Sequence, residues 1–214
     1  MIAALLIAVA APSASTAIDA ERDFARDARR IGQWTAFRKW ADHDAVMFTP
    51  QAVWARIFLK PLKDPARPIS WRPADSYLSC DGRIAVNTGP WFTQDGSLAG
   101  YFTTVWQRTK AGWRWVYDGG GPAAGPGPSG KPKVHSASCR GRAPGAPVIP
   151  PPPLTHKQAM TTPEDNGRGQ SADQTLGWDW KVGKSGARHF RVYQWNGRRY
   201  VEVLHNDIPA PTQK

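Results

Sequence analysis

The sequence predicts an α+β protein in which N-terminal helices pack on an antiparallel sheet and a three-stranded β-meander follows at the C-terminus. Helical spacing near the N-terminus, strand-like segments in the middle, and a second set of such segments at the end support this. The chain of 214 residues contains 11 tryptophans, which indicates an extensive aromatic core. This length suits one domain with an extension.

The segment 19–40 has the pattern of one amphipathic helix. Apolar side chains recur there at steps of three and four, namely Phe24, Ala28, Ile31, Trp34 and Phe37. Gly32 weakens such a helix by about 1 kcal/mol relative to alanine. An apolar run at 45–48 ends before Pro50, and we predict a shorter second helix over 51–59.

Strand patterns in the middle of the chain predict an antiparallel meander. They cover 84–89, 101–108 and 113–118, with short turns between the last two. In the third strand, alternation places Trp113, Trp115 and Tyr117 on one face and Asp118 among the residues of the other.

Three further strands are predicted near the C-terminus, at 175–182, 188–195 and 199–205. The last two flank Asn196-Gly197, a dipeptide that favours the tight turn of a β-hairpin. Three strands alone need a partner surface. We therefore expect them to pack on the first sheet or to extend it.

Composition divides the chain into four parts. Residues 1–17 are predicted to be a signal peptide, because the uncharged apolar run 2–11 is followed by small residues and is shorter than the roughly 20 residues that span a bilayer. Residues 18–120 are expected to form the α+β domain, 121–170 a linker rich in glycine and proline in which 134–139 is a candidate strand, and 171–207 the β extension. A cleaved signal predicts a periplasmic or secreted protein.

The two cysteines, Cys80 and Cys139, predict one disulfide in an oxidising compartment. The alternative is a pair of free, buried thiols. Two cysteines are too few to hold zinc, and the histidines lack metal-ligand spacing, so we predict no metal site. No phosphate-binding or dinucleotide-binding glycine motif occurs, and we predict no cofactor.

The net charge of +11 favours anionic partners, although solubility alone also explains it. Four arginines fall on one predicted hairpin, namely Arg188, Arg191, Arg198 and Arg199. They suggest contact with an anionic surface. No zinc-finger spacing, basic zipper or RNA-binding aromatic motif is present, so no specific nucleic acid is predicted.

Several local motifs resemble the nuclear transport factor 2-like superfamily. They are ADHDAVMFTP after the first helix, then GPWF, GYFTTVWQR and GWRWVYDGG. The resemblance covers about residues 20–120 and is nearest to the SnoaL-like and calcium/calmodulin-kinase-association-like branches. It implies a cone-like domain whose curved sheet and helices enclose a cavity. Members include isomerases, dehydratases and cyclases as well as non-enzymes, and they often form homodimers, so fold alone decides no function.

Our first functional hypothesis is an exported, non-catalytic domain that binds a small apolar or aromatic ligand, or a protein partner, in this cavity. The candidate lining residues are Trp34, Phe37, Trp40, Met47, Trp91, Trp106 and Trp115. The alternative ranked second is a basic protein that interacts with an envelope surface.

The third hypothesis is an isomerase, dehydratase or cyclase. It would use Asp44 or Asp118 as a base, with Tyr77 or a histidine nearby. Asp42, His43 and Asp75 are further candidates in polar turns or strands. No catalytic pattern of the superfamily maps onto this chain, so we assign no catalytic residue.

Overall fold

The computed structural model describes residues 16–123, 128–141 and 165–211. These residues form three layers, with helices on one face of a large curved sheet and a small sheet on its other face. The α+β class and the C-terminal meander are confirmed. The predicted signal peptide lies almost wholly outside the described residues, apart from Thr16 and Ala17 at the start of the first helix.

The predicted helix over 19–40 is two helices, α1 (Ala17–Ile31) and α2 (Gln33–Trp40). Gly32 separates them with a φ of 102°, a conformation that other residues rarely adopt. The Asp64 carboxylate lies against this break and accepts hydrogen bonds from the backbone N–H of Thr35 at 2.9 Å and from its hydroxyl at 2.6 Å. A Cβ at position 32 would lie 2.3 Å from that carboxylate, so the site requires glycine.

The large sheet contains eight strands. They are β1 (Ala41–Phe48), β2 (Ala52–Trp54), β3 (Ser70–Trp71), β4 (Asp75–Leu78), β5 (Ile84–Phe92), β6 (Leu98–Thr109), β7 (Gly112–Pro122) and β8 (Lys133–Ser136). Their order is β2-β1-β7-β6-β5-β4-β8, with β3 also paired to β5. The pairs β1–β7 and β4–β8 are parallel and the others are antiparallel.

The predicted second helix over 51–59 is shorter in the structure. Its first residues form β2, which pairs with β1, and only α3 (Ala55–Leu59) is helical. Pairing with β1 satisfies the backbone groups of Ala52–Trp54 in a way that a short isolated helix cannot.

The small sheet has four strands, β9 (Asn166–Gln170), β10 (Leu176–Val182), β11 (Arg188–Trp195) and β12 (Tyr200–Ile208), in the order β12-β11-β10-β9. The three C-terminal strands lie where the sequence places them, and Gly197 in the hairpin turn has a φ of 97°. Leu176, Val182 and Phe190 are buried against strands of the large sheet. The meander therefore packs on the first sheet rather than extending it.

Two strands, β8 and β9, lie within 121–170, which the sequence indicates as mostly linker. Strand β8 overlaps the candidate strand at 134–139, whereas β9 was not expected. In β9, Gly167 and Gly169 support the rings of Trp180 and Trp178, and a Cβ at either glycine would approach those rings to 2.6 and 2.2 Å. Glycine is unfavourable in strands generally but is required under these two rings. Strand β8 gains its pairing from β4, beside the disulfide.

One irregularity in β7 determines which way its side chains point. Val105 of β6 lies opposite Tyr117, but the next residue, Trp106, lies opposite Trp115, so Val116 is an extra residue. Because of this bulge, Trp115 packs on the helical side, whereas Tyr117 packs between the sheets. The predicted common face of Trp113, Trp115 and Tyr117 is therefore wrong, since strict alternation stops at the bulge.

The predicted disulfide between Cys80 and Cys139 is confirmed. It joins the turn after β4 to the segment after β8. Hydrogen bonds to the small sheet surround it. The Cys80 N–H donates to the Thr175 hydroxyl at 2.8 Å, and the Ser138 N–H donates to the Trp195 carbonyl at 2.7 Å.

Candidate functional site

A cavity of about 280 Å³ opens between the helical layer and the end of the large sheet. Aromatic and aliphatic side chains form most of its wall. The lining residues are Phe37, Met47, Phe48, Ile69, Trp71, Trp91, Tyr101, Phe102, Asp118, Gly119, Gly120, Gly121 and Arg188. A mostly apolar cavity with a few converging polar groups is the usual form of a small-molecule site.

Asp118 is the carboxylate that lines this cavity. The bulge at Val116 turns it to the face of Trp115, opposite to the face that regular alternation predicts. Its Oδ2 accepts a hydrogen bond from the Thr104 hydroxyl at 3.0 Å. Burial raises the pKa of Asp118 to about 7, although the Thr104 hydrogen bond and the Arg188 charge both oppose this rise. Near neutral pH this carboxyl can therefore both accept and release a proton.

Arg188 is the one cation among the described residues that line the cavity, and it comes from the small sheet. It is only 8% exposed, and its guanidinium lies 4.0 Å from the centre of the Phe48 ring. Its Nη2 donates to the Gly120 carbonyl at 2.9 Å, whereas its Nε has no hydrogen-bond partner. The small sheet thus supplies part of the cavity wall as well as covering the large sheet.

The end of β7 is a run of three glycines, Gly119 to Gly121, which continues the strand along the cavity. A Cβ on Gly120 would approach the Tyr101 carbonyl to 2.2 Å. These glycines leave backbone exposed to the cavity and to the Arg188 side chain.

Glu21 is a buried acid that the sequence interpretation missed. It has no exposed surface and accepts hydrogen bonds from Trp71 Nε1 at 2.8 Å, from Trp106 Nε1 at 2.6 Å and from Asn87 Nδ2 at 3.3 Å. Burial raises its pKa to about 8, against these hydrogen bonds, and Asp118 adds to the rise. The signal was available, because Glu21 precedes Phe24 by three residues and Ala28 by seven, on the apolar face of α1.

Three of the seven predicted lining residues line the cavity, and four lie elsewhere. Phe37, Met47 and Trp91 line the cavity. Trp106 and Trp115 have no exposed surface and belong to the core between helices and sheet. Trp34 and Trp40 pack against this same core without lining the cavity. The helical and strand periodicities identified a common interior but not which part of it stays open.

The other acid–base candidates lie away from the cavity. His43 and Asp44 form an exposed pair, with 2.7 Å between Nδ1 and Oδ1, next to Asp42. Tyr77 stacks on His135 with ring centres 4.9 Å apart, and Asp75 contacts that histidine at 2.8 Å. Burial and the Asp75 charge raise the pKa of Tyr77. Asp118 is the only predicted acid–base residue among those that line the cavity.

The four arginines of the predicted basic hairpin differ in their exposure to solvent. Arg198 and Arg199 are exposed, and Arg191 is partly exposed with its Nε 4.0 Å from Glu202. Arg188 is withdrawn into the cavity wall, because it faces the large sheet with Phe190. In the described ranges, no three metal-ligating side chains come together and no helix is long and apolar enough to cross a membrane.

No family model and no curated protein matches this chain. Two of the solved structures that are similar to this chain each match about half of it. A "putative ketosteroid isomerase" from Parabacteroides distasonis ATCC 8503 is 16% identical with a TM-score of 0.41, over 51% of this chain and 90% of that one. A "putative aromatic ring hydroxylase" from Novosphingobium aromaticivorans DSM is 15% identical with a TM-score of 0.35, over 52% and 90%. At these identities and TM-scores, neither similarity assigns a superfamily branch or a function to this chain.

Proposed function

We propose that this protein is exported and holds a small, largely aromatic molecule in the cavity between α2, β1 and the end of the large sheet. The observation that carries this proposal is the cavity of about 280 Å³ with its mainly aromatic wall. Apolar surface that a ligand removes from water contributes roughly 25 cal/mol per Å² to the gross binding energy. The apolar run at the N-terminus and the disulfide support export, because disulfides persist in oxidising compartments.

Filling the cavity should abolish this binding. We expect the neutral aromatic probe N-phenyl-1-naphthylamine to bind the unaltered protein with a rise in emission. Ile69→Trp should weaken that binding at least about tenfold, because the larger ring occupies the space the probe needs. Ile57→Trp is the matched control, since Ile57 lies on α3, is 51% exposed and does not line the cavity.

Fluorescence titration measures both affinities, and native mass spectrometry of the purified protein reports any molecule that copurifies. A probe that binds both variants equally well would place the binding elsewhere on the surface and remove the proposal. Absence of binding to the unaltered protein would do the same.

A second candidate function is proton transfer at carbon, and Asp118 favours it. A carboxyl with a pKa of about 7, in a largely apolar cavity that Tyr101 also lines, suits a general base near neutral pH. In this role the Asp118 carboxylate removes a proton from a carbon adjacent to a ketone. The same carboxyl then returns the proton.

The test uses 2-tetralone, an aromatic ketone with acidic C–H bonds, in deuterated water. We expect the protein to accelerate deuterium incorporation at those carbons, with a rate that rises as Asp118 ionises through about pH 7. Asp118→Asn should lower the rate by about 10²-fold, and the exposed Asp44→Asn should leave it unchanged. Equal rates for Asp118→Asn and the unaltered protein, measured by NMR, would exclude this candidate.

A further inference from the structure

Arg188 occupies a position that calls for an anion. It is more than nine-tenths buried, and burying a guanidinium is costly unless its charge and its N–H groups find partners. Its partners in the described structure are the Gly120 carbonyl, the Phe48 ring and the Tyr117 hydroxyl, none of which is an anion near neutral pH. Asp118 is the carboxylate whose charge acts on it, but no carboxylate of the described residues forms an ion pair with Arg188 within 4.0 Å.

Arg188 has unused hydrogen-bond donor capacity and belongs to the cavity wall. Its Nε has no hydrogen-bond partner. Arginine presents its N–H groups as a planar fork that matches the two oxygens of a carboxylate. The remaining wall includes the aromatic rings of Phe48 on β1 and Tyr101 on β6, the two strands that flank β7.

We infer that the cavity takes an aromatic carboxylate, with its ring against the aromatic wall and its carboxylate on the guanidinium of Arg188. This inference rests on the proposed binding function and adds the chemical class of the ligand. It also gives the small sheet a specific role, because β11 supplies the group that recognises the anion. Asp118 lies in the same cavity, and its ionised form would repel a carboxylate ligand.

The test compares two probes of nearly equal shape, 1-naphthylacetate and the neutral 1-naphthylacetamide. Binding is measured at pH 6 by the quenching of tryptophan emission, since Trp71 and Trp91 line the cavity. At this pH the Asp118 carboxyl is mostly neutral, because its pKa is about 7. We expect the unaltered protein to bind the carboxylate at least tenfold more tightly than the amide.

Two variants locate the source of this preference. Arg188→Met keeps an unbranched side chain over Phe48 but removes the charge, so the preference should fall to about one. Arg191→Met removes one positive charge from the same strand, but Arg191 alternates with the inward-facing residues, so the preference should remain. If Arg188→Met does not fold, Arg188→Lys takes its place in the test. It keeps the positive charge but loses the planar fork, so it should retain only part of the preference for the carboxylate.

The outcomes separate this inference from the function on which it rests. If the unaltered protein binds the amide as tightly as the carboxylate, the cavity binds aromatic molecules but the anion preference is wrong. If Arg188→Met folds and keeps the full preference, the carboxylate binds elsewhere and the inference is also wrong. If neither probe binds, the proposed function and the inference fall together. The comparison of probes on the unaltered protein does not depend on the folding of any variant.

Discussion

The protein is expected to lose about 4 kcal/mol of stability between pH 5 and pH 9 because of the buried carboxyl of Glu21. The native state raises the pKa of Glu21 from 4.5 to about 8. The folded protein therefore holds a proton that the unfolded chain has already released in this range. The stabilisation is complete below the unfolded pKa and disappears as the pH rises through the folded pKa.

Between pH 5 and pH 9, the change in stability comes from the carboxyls whose pKa values are raised and not from those whose pKa values are lowered. Asp27, Asp64 and Asp173 have lowered pKa values, so their effects are confined to more acidic conditions. The raised pKa of Asp118 adds a loss of the same sign that is largely complete by about pH 7. The slope between pH 7 and pH 8 should therefore come mainly from Glu21.

Urea unfolding of the unaltered protein and of Glu21→Gln checks this prediction. Both oxygens of Glu21 accept hydrogen bonds from indole N–H groups, so a glutamine NH₂ would face a donor and lower the stability at pH 5 by about 1–3 kcal/mol. The glutamine variant should nevertheless show a flat profile between pH 7 and pH 8. Asp23→Asn, on the same helix and in an ion pair with Arg26, should keep the slope. Equal stability of the unaltered protein at pH 5 and pH 9 would contradict the assignment.

Loss of the disulfide should have an effect of similar size. Replacing Cys80 and Cys139 together by serine should lower the free energy of unfolding by about 4 kcal/mol, because the bridge closes a loop with a sequence separation of 59. The bridge also lies where the two sheets meet. Nearby, the Gln194 side chain donates to the carbonyls of Leu78 and His135 at 3.0 and 2.7 Å.

Denaturation in urea with and without reductant measures this loss. Reduced wild-type protein should unfold at the same midpoint as the double serine variant, and reductant should leave the variant unchanged. An unaltered midpoint on reduction of the wild-type protein would show that the bridge contributes nothing to stability.

Local sequence patterns were sufficient for the α+β class, the C-terminal strands and the disulfide. Hydrophobic periodicity and turn-forming residues depend only on residues close in sequence. The apolar spacing of α1 and the Asn196-Gly197 turn could therefore be recognised without knowing what they pack against. The same patterns predicted one helix where there are two. The carboxylate that stabilises the first turn of α2, just after Gly32, comes from Asp64, which is distant in sequence.

The direction in which the candidate site residues point depends on strand pairing, which no local sequence pattern contains. Asp118 was identified as a candidate, but its direction depends on the extra residue at Val116, which only the pairing of β6 with β7 reveals. A one-residue shift moves a strand side chain to the other face of its sheet. Regular alternation therefore placed Asp118 on the face opposite to the cavity.

The sequence by itself determined the helical character of the N-terminal segment, the extended character of the middle and of the C-terminus, the aromatic interior and the candidate pair of cysteines. Tertiary structure alone decided that the Glu21 carboxyl bonds to two indoles and that Asp118 faces the cavity. It also decided that Arg188 extends from the small sheet into the wall of this cavity. The physical reason is that periodicity arises from the backbone of one segment. Burial, pKa and an open cavity arise from how side chains of different layers fit together.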